Sequence, residues 1–351
     1  MIFIIVFLMK KLSYLCSIKF DKRRMKKLII IVALSMMSMG HLAKAHDTTK
    51  VEPKGKAIIQ VFANAHTGFG ADNDDRGFEL DRSYVGYQYS LTKELQIKAV
   101  LDVGMSNDVD DYHHIAYVKN AQVTWKPGRL TLEGGMISTT QFKVQEKHWG
   151  YRYIMKSFQD EYKFGSSADL GISAAYKFAD WVSADAIIVN GEGYKRVQVN
   201  DGLQYGLGAT FMPVEGLTLR LYGSINESSI DQIKDAYNWA AFAGYKHKYF
   251  SLGAEYNIYQ NAKFERDHDL YGLSVYGTAH VSKVVDIFAR YDNLSSNNDW
   301  NILKDESAAM LGAQIKLGKY VKIAPNVRMS IPSAPGADNH YSAYVSCYFG
   351  I

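Results

Sequence analysis

Between Ser138 and Ser167 lies the densest mixture of reactive side chains in the chain. Five bases (Lys143, Lys147, Arg152, Lys156, Lys163) and three acids (Glu146, Asp160, Glu161) are threaded among Trp149, Tyr151, Tyr153, Ile154 and Phe158. Rings beside cations can stack on nucleic-acid bases, acids beside bases can move protons, and charges around a narrow opening can filter ions. The rings are too apolar to be left in water, so this segment must pack on something. The spacing Trp149, Tyr153/Ile154, Phe158 suits a short amphipathic helix.

Other constellations are weaker. "DNDDRG" (72–77) begins like a calcium loop, but Arg76 occupies a ligand position and Ser83 stands where a bidentate Glu is needed. His113, His114 and His268 have no complementary ligand set nearby. "NGEGYK" lacks the spacing of a phosphate loop, and no Ser/His/Asp grouping is close in sequence. Cys16 and Cys347 are too few and too separated for a cysteine metal site. No metal, cofactor or catalytic residue is expected.

Charge narrows the choice. Nine of the 40 Lys/Arg and one of the 36 Asp/Glu lie in residues 1–45, which leaves 31 bases against 35 acids in the remainder. That mildly acidic body argues against a nucleic-acid partner. The basic segment is a leader. "DKRRMKK" is a positive n-region, "LIIIVALSMMSMG" an apolar core, and Ala43-Lys44-Ala45 a small-x-small site with cleavage after Ala45. Met25 gives a signal peptide of ordinary length, so residues 1–24 read as an over-extended start and 25–45 as the signal peptide.

The elements that must position the charged interval follow a two-residue period. "ELQIKAVLDVG" sets Leu95, Ile97, Ala99, Leu101 and Val103 on one face, and Gln96, Lys98 and Asp102 on the other. Sixteen such segments start near 56, 77, 94, 115, 128, 168, 181, 203, 216, 237, 249, 269, 283, 306, 320 and 339. Short connections ("SLTK", "KPG", "PVE", "SK") alternate with long ones, of which 138–167 is the longest. The expected fold is all-β: residues 46–351 form a sixteen-stranded antiparallel transmembrane β-barrel with short periplasmic turns and longer extracellular loops. Tyr89, Trp125, Tyr176, Trp181, Trp239, Tyr249, Tyr256, Tyr291 and Tyr320 sit at strand ends, where interfacial girdles form. Pro325 should mark a bulge.

Alternation then assigns inward charges. Arg82, Arg220, Arg290 and Arg328 are expected at mid-lumen, opposed by Asp102, Glu133 and Asp185. Lys98, Arg129, Lys177, Lys246, Lys316 and Lys322 also face in, with Asp169, Glu255 and Asp286. The alternative for any one of them is an Arg–carboxylate brace on the wall. The loop 138–167 is expected to fold inward as a constriction, with Lys143, Glu146, Lys147, Arg152, Lys156, Asp160 and Glu161 around the opening.

Three stretches resemble the phosphate-selective porin O and P family of outer-membrane porins: "EKHWGYRYIMKSFQDEYKFGSSADLGISAAYKF" (146–178), "SADAIIVNGEGYKRVQ" (183–198) and "ELDRSYVGYQYSLTKELQIKAVLDVG" (79–104). The resemblance implies a sixteen-stranded passive channel. The family's lysine-lined phosphate site does not map onto these residues, so phosphate selectivity is not carried over. The expectation is a water-filled pore for small hydrophilic solutes and ions, with a weak preference for anions. It would sit in the outer membrane of a Gram-negative bacterium, among lipid and lipopolysaccharide, and a homotrimer is compatible with it. Two alternatives are a plugged structural or adhesive barrel and, less favoured, a barrel hydrolase.

Overall fold

The computed structural model describes Lys27 and residues 54–351, apart from 71–72, 106–112, 200 and 231. Lys27 aside, the leader and its cleavage point lie outside the described residues, as do Asp72 and most of the 106–114 loop.

Sixteen strands run in order: β1 (Lys54–Phe69), β2 (Arg76–Ser90), β3 (Leu95–Met105), β4 (His114–Trp125), β5 (Leu130–Ser138), β6 (Ala168–Ala179), β7 (Val182–Val189), β8 (Gln204–Phe211), β9 (Leu217–Asn226), β10 (Ala236–Lys246), β11 (Phe250–Gln260), β12 (Leu270–His280), β13 (Val285–Ser296), β14 (Glu306–Leu317), β15 (Val321–Pro332) and β16 (His340–Gly350). Each pairs antiparallel with its neighbours in sequence, and β1 pairs β16 from Gln60 opposite Gly350 to Phe69 opposite Tyr341. The sheet is therefore a closed barrel, and closure leaves no free edge. The short connections all fall at one end and the long ones at the other.

The outer face is apolar. Ile97, Leu101, Val123, Leu170, Ile172, Val275, Ile287, Leu311, Val327 and Val345 point outward and are exposed. So many large apolar side chains, spread round the barrel, require a hydrocarbon solvent, because each would otherwise forgo roughly 1.5–3 kcal/mol of burial. Rings gather at the rims. Tyr87 with Tyr89, Tyr176 with Phe178, and Tyr245 with Phe250 lie at the short-turn end. Trp239, Tyr256 and Tyr271 pack together toward the other.

Bulges occur where the period had given no warning. The register shifts between Phe62 and Asn64 in the β1–β2 ladder, between Val100 and Leu101 in β3–β4, and between Lys177 and Ala179 in β6–β7. The bulge expected at Pro325 is absent. Gly312 opposite Asn326 and Ile315 opposite Ile323 keep one register, with the pairing interrupted between them, and Pro325 still faces Val345. The ring removes a donor from the ladder without inserting a residue.

Candidate functional site

The segment 139–167 leaves β5 and returns to β6, yet its partners lie on the far wall. It carries two short helices, α1 (Lys143–Trp149) and α2 (Phe158–Glu161). Gly150 ends α1 in a left-handed conformation (φ 75°), its N–H bonded to the Glu146 carbonyl at 3.0 Å, and so reverses the chain. Trp149 Nε1 donates to the Met155 carbonyl at 2.8 Å and closes the turn that follows.

Rings fix this segment to the wall. Trp149 meets Tyr276 edge-on with centroids 5.0 Å apart, Tyr151 lies 4.8 Å from Phe288, and Tyr153 lies 5.7 Å from Tyr348. His148 packs edge-on against Phe242 at 5.2 Å. Two glycines make room: a Cβ on Gly244 would strike His148, and one on Gly272 would overlap the Phe158 ring.

Polar bonds repeat the same geography. Arg220 on β9 donates to the Thr140 carbonyl (2.6 Å), Asn238 on β10 to Phe164 (2.7 Å), Arg290 on β13 to Lys156 (2.6 Å) and Arg328 on β15 to Ile154 (2.8 Å). Tyr276 on β12 reaches the Gln145 carbonyl, and Tyr153 reaches Gln314 on β14. A connection between β5 and β6 can touch β9 through β15 only by crossing the interior. The loop thus spans the lumen, with its rings on the β10–β16 side and much of its charge toward β2–β4.

The expected wall charges divide into two groups. All of Arg82, Arg220, Arg290, Arg328, Asp102, Glu133 and Asp185 lie on the inward face. Arg220 and Arg290 are almost fully buried (2% and 4% exposed). Arg220 is bidentate to Asp185 (2.7 and 3.0 Å), and Arg290 is held by Asp292 (2.6 and 2.9 Å). Both clamp loop carbonyls, so they brace the wall rather than stand open at mid-lumen. Glu133 accepts from Gln122 and Thr124 on the neighbouring strand and is likewise tied down.

Arg82 and Arg328 differ in that they also face open space, Arg328 while clamping the Ile154 carbonyl. They border a cleft of about 590 Å³ between the loop and the wall, together with Arg152, Lys156, Asp160 and Glu161. Arg82 pairs with Asp102 (3.3 Å) and donates to Tyr84 (2.9 Å); Tyr194 also donates to Asp102. Arg152 sits between Glu146 and Asp160, 2.5 Å from the latter. Burial alone would raise the Asp160 carboxyl, but Arg152 and Lys156 outweigh it and hold it below the ordinary carboxylate range. Lys156 and Glu161 are 3.9 Å apart. Lys143 and Lys147 are exposed and, among the described residues, form no ion pair. Lys143 lies near Lys98, and Lys147 near Lys246. The seven loop charges expected round the opening are thus not one ring: four line the cleft, Glu146 pairs with Arg152, and Lys143 and Lys147 stand with the wall lysines.

No protein-family model matches the chain, and no curated protein does. Solved structures do. It superposes on an anion-selective porin from Comamonas acidovorans with a TM-score of 0.65 at 13% identity, covering 86% of this chain and 100% of that one. OprB from Pseudomonas putida gives 0.66 at 12%, covering 85% and 94%. OmpF from Salmonella typhi gives 0.63 at 12%, covering 84% and 98%. The barrel has the fold of outer-membrane porins. At these identities the likeness is one of fold, and none of the three singles out the phosphate-selective O and P porins.

Four inward-facing residues escaped the sequence reading. The β3–β4 bulge sets Val118 opposite Leu101 and Asn120 opposite Val100, so Lys119 and Asn120 both turn inward. Lys119 Nζ donates to Ser167 Oγ at 2.6 Å and lies 4.5 Å from the Tyr194 ring. In β2 the bulge brings Asp81 in beside Arg82, where Asn64 donates to it at 2.8 Å. Tyr194 enters from the connection after β7. A doubled polar pair inside an amphipathic strand, "KN" at 119–120 and "DR" at 81–82, was the available signal.

Proposed function

We propose that the chain is an outer-membrane porin, exported by its leader, that lets small hydrophilic solutes and ions diffuse passively between the loop and the β2–β4 wall, with a weak preference for anions. The observation that carries this is the two-sidedness of the loop. Its apolar side is spent on packing, and its charged side borders a polar cleft. Seven cations (Arg82, Arg152, Lys156, Lys163, Lys195, Arg196, Arg328) line that cleft against five acids (Glu79, Asp81, Asp160, Glu161, Glu192), and so small an excess supports only a mild preference. The resemblance to the phosphate-selective porins supports phosphate-like anions among the solutes. Association into a homotrimer in lipopolysaccharide-containing membrane is part of the same proposal.

Reversal potentials in a planar bilayer under a salt gradient test it. Folded protein should give stable ohmic steps and a potential displaced slightly toward anions. Replacing Lys143, Lys147, Arg152 and Lys156 together by Gln should move that potential toward cations. Silence from correctly folded protein would favour the plugged barrel instead, and an unmoved potential would take the loop out of the pore lining.

A further inference from the structure

The loop divides the lumen into two zones, and charge is arranged differently in each. On the long-loop side, bases and acids alternate as pairs: Arg82 with Asp102, Arg152 with Asp160, and Lys156 with Glu161. On the short-turn side, base stands beside base. The β14–β15 register sets Lys316 directly opposite Lys322. Lys143 and Lys147, four residues apart on α1, share one face of it, and both are exposed. Lys98, near the start of β3, lies near the first, and Lys246, the last residue of β10, lies near the second.

Nothing in the fold rewards this row. Like charges opposite one another in a sheet, or four apart on a helix, are destabilising. The inward acids at the same level are already engaged. Asp185 is held by Arg220, Asp286 by Lys316 and His280 (2.8 Å each), and Glu133 by Gln122 and Thr124. Glu146, on α1 itself, turns to Arg152. Lys322 stands 5.0 Å from the ring of Tyr348, which faces the loop at Tyr153. Among the described residues, Lys98, Lys143, Lys147, Lys246 and Lys322 form no ion pair, so their charge is left for solvent ions to balance.

Two zones in series, one cationic and one near-neutral, conduct unequally in the two directions. Beside the lysines anions carry most of the current, whereas in the cleft, with seven bases to five acids, both ions share it. When the field drives anions from the lysines into the cleft, they reach the junction faster than the cleft removes them. Cations arriving through the cleft are turned back by the lysines. Salt accumulates at the junction, and conductance rises. The opposite field draws both ions away and depletes it.

We infer that the lysine row makes the channel a rectifier, passing more current when anions move from the short-turn end toward the long loops than when they move back. The inference rests on the channel reading. Current–voltage curves of single channels in a planar bilayer test it. Orientation is assigned by the chamber from which antibody reaches an amino-terminal tag, since β1 begins at the short-turn end. In about 1 M salt, where charges act over about 3 Å, the steps should be ohmic. In about 0.1 M salt, where they act over about 10 Å, currents at opposite voltages should differ about twofold. Lys98→Gln with Lys246→Gln, or Lys143→Gln with Lys147→Gln, should each bring that ratio toward one, and either pair suffices if the other fails to fold. Lys156→Gln removes a base on the opposite side of the loop, leaves Glu161 uncancelled in the cleft, and should raise the ratio. A merely structural role for these lysines would not change sign with the side of the loop. Four results would each overturn the inference and leave the channel standing: ohmic conduction in low salt, the larger current in the opposite direction, lysine-row variants with the parent's ratio, or a Lys156→Gln ratio that falls as theirs does. Silence from folded protein would remove the channel reading and the rectifier with it.

Discussion

His148 and Arg152 show how differently two loop side chains carry charge. His148 is buried against Phe242, Tyr276 and the notch at Gly244, with Nε2 2.9 Å from the Leu252 carbonyl. Burial pushes its imidazole down from 6.5 to about 4, and Lys246 adds to the effect, although the Leu252 carbonyl opposes it. A released loop would protonate near the ordinary value, so protons favour release, and the docked loop loses stability as pH falls from about 6.5 toward 4. Single-channel records should turn noisy across that window, and His148→Leu should keep them quiet; noise that begins at the same pH in the variant would exonerate His148. Arg152 is instead held charged by two carboxylates. Arg152→Gln leaves Glu146 and Asp160 facing the cleft, and the anion-to-cation permeability ratio should fall about fivefold. That is the effect of roughly 1 kcal/mol between unit charges about 4 Å apart in water. Reversal potentials read it directly.

At the scale of elements, the strands were legible and their irregularities were not. The two-residue period placed all sixteen starts within two residues, because a lumen and a lipid face impose the same alternation everywhere. That period is blind to an inserted residue, and β4 shows the result. Deleting Lys119 should restore regular alternation through β4, leave the barrel folded by heat-modified gel migration, and reduce the anion preference. A chain that no longer folds would show that the bulge is needed for closure. The loop was legible as an apolar, charged segment seeking a surface. Which wall arginines it would occupy was not, since Arg220, Arg290 and Arg328 bond loop carbonyls 80, 134 and 174 residues away. Glycine notches carry the same long-range information. Gly272→Val should drive Phe158 off the wall at a cost of about 1–3 kcal/mol, detectable as protease cleavage within 150–165 that the parent resists.

For the whole molecule, the outer face is the solvent boundary. Leu101→Arg, near the middle of that apolar band, should cost about 2–4 kcal/mol in reversible unfolding from lipid vesicles, and a lumen-facing Gln88→Arg far less. Equal costs would mean that the two faces are assigned the wrong way round. The loop's attachments have a consequence in time as well as in space. The loop is made when more than half of the chain is still to come, and its anchors Tyr276, Arg290, Gln314, Arg328 and Tyr348 all belong to the last third. An unfinished barrel therefore has nowhere to seat it. Joining β16 to β1 and docking the loop become one late step of biogenesis, so an incompletely inserted chain is marked by a loose, cleavable loop before it has ever conducted an ion.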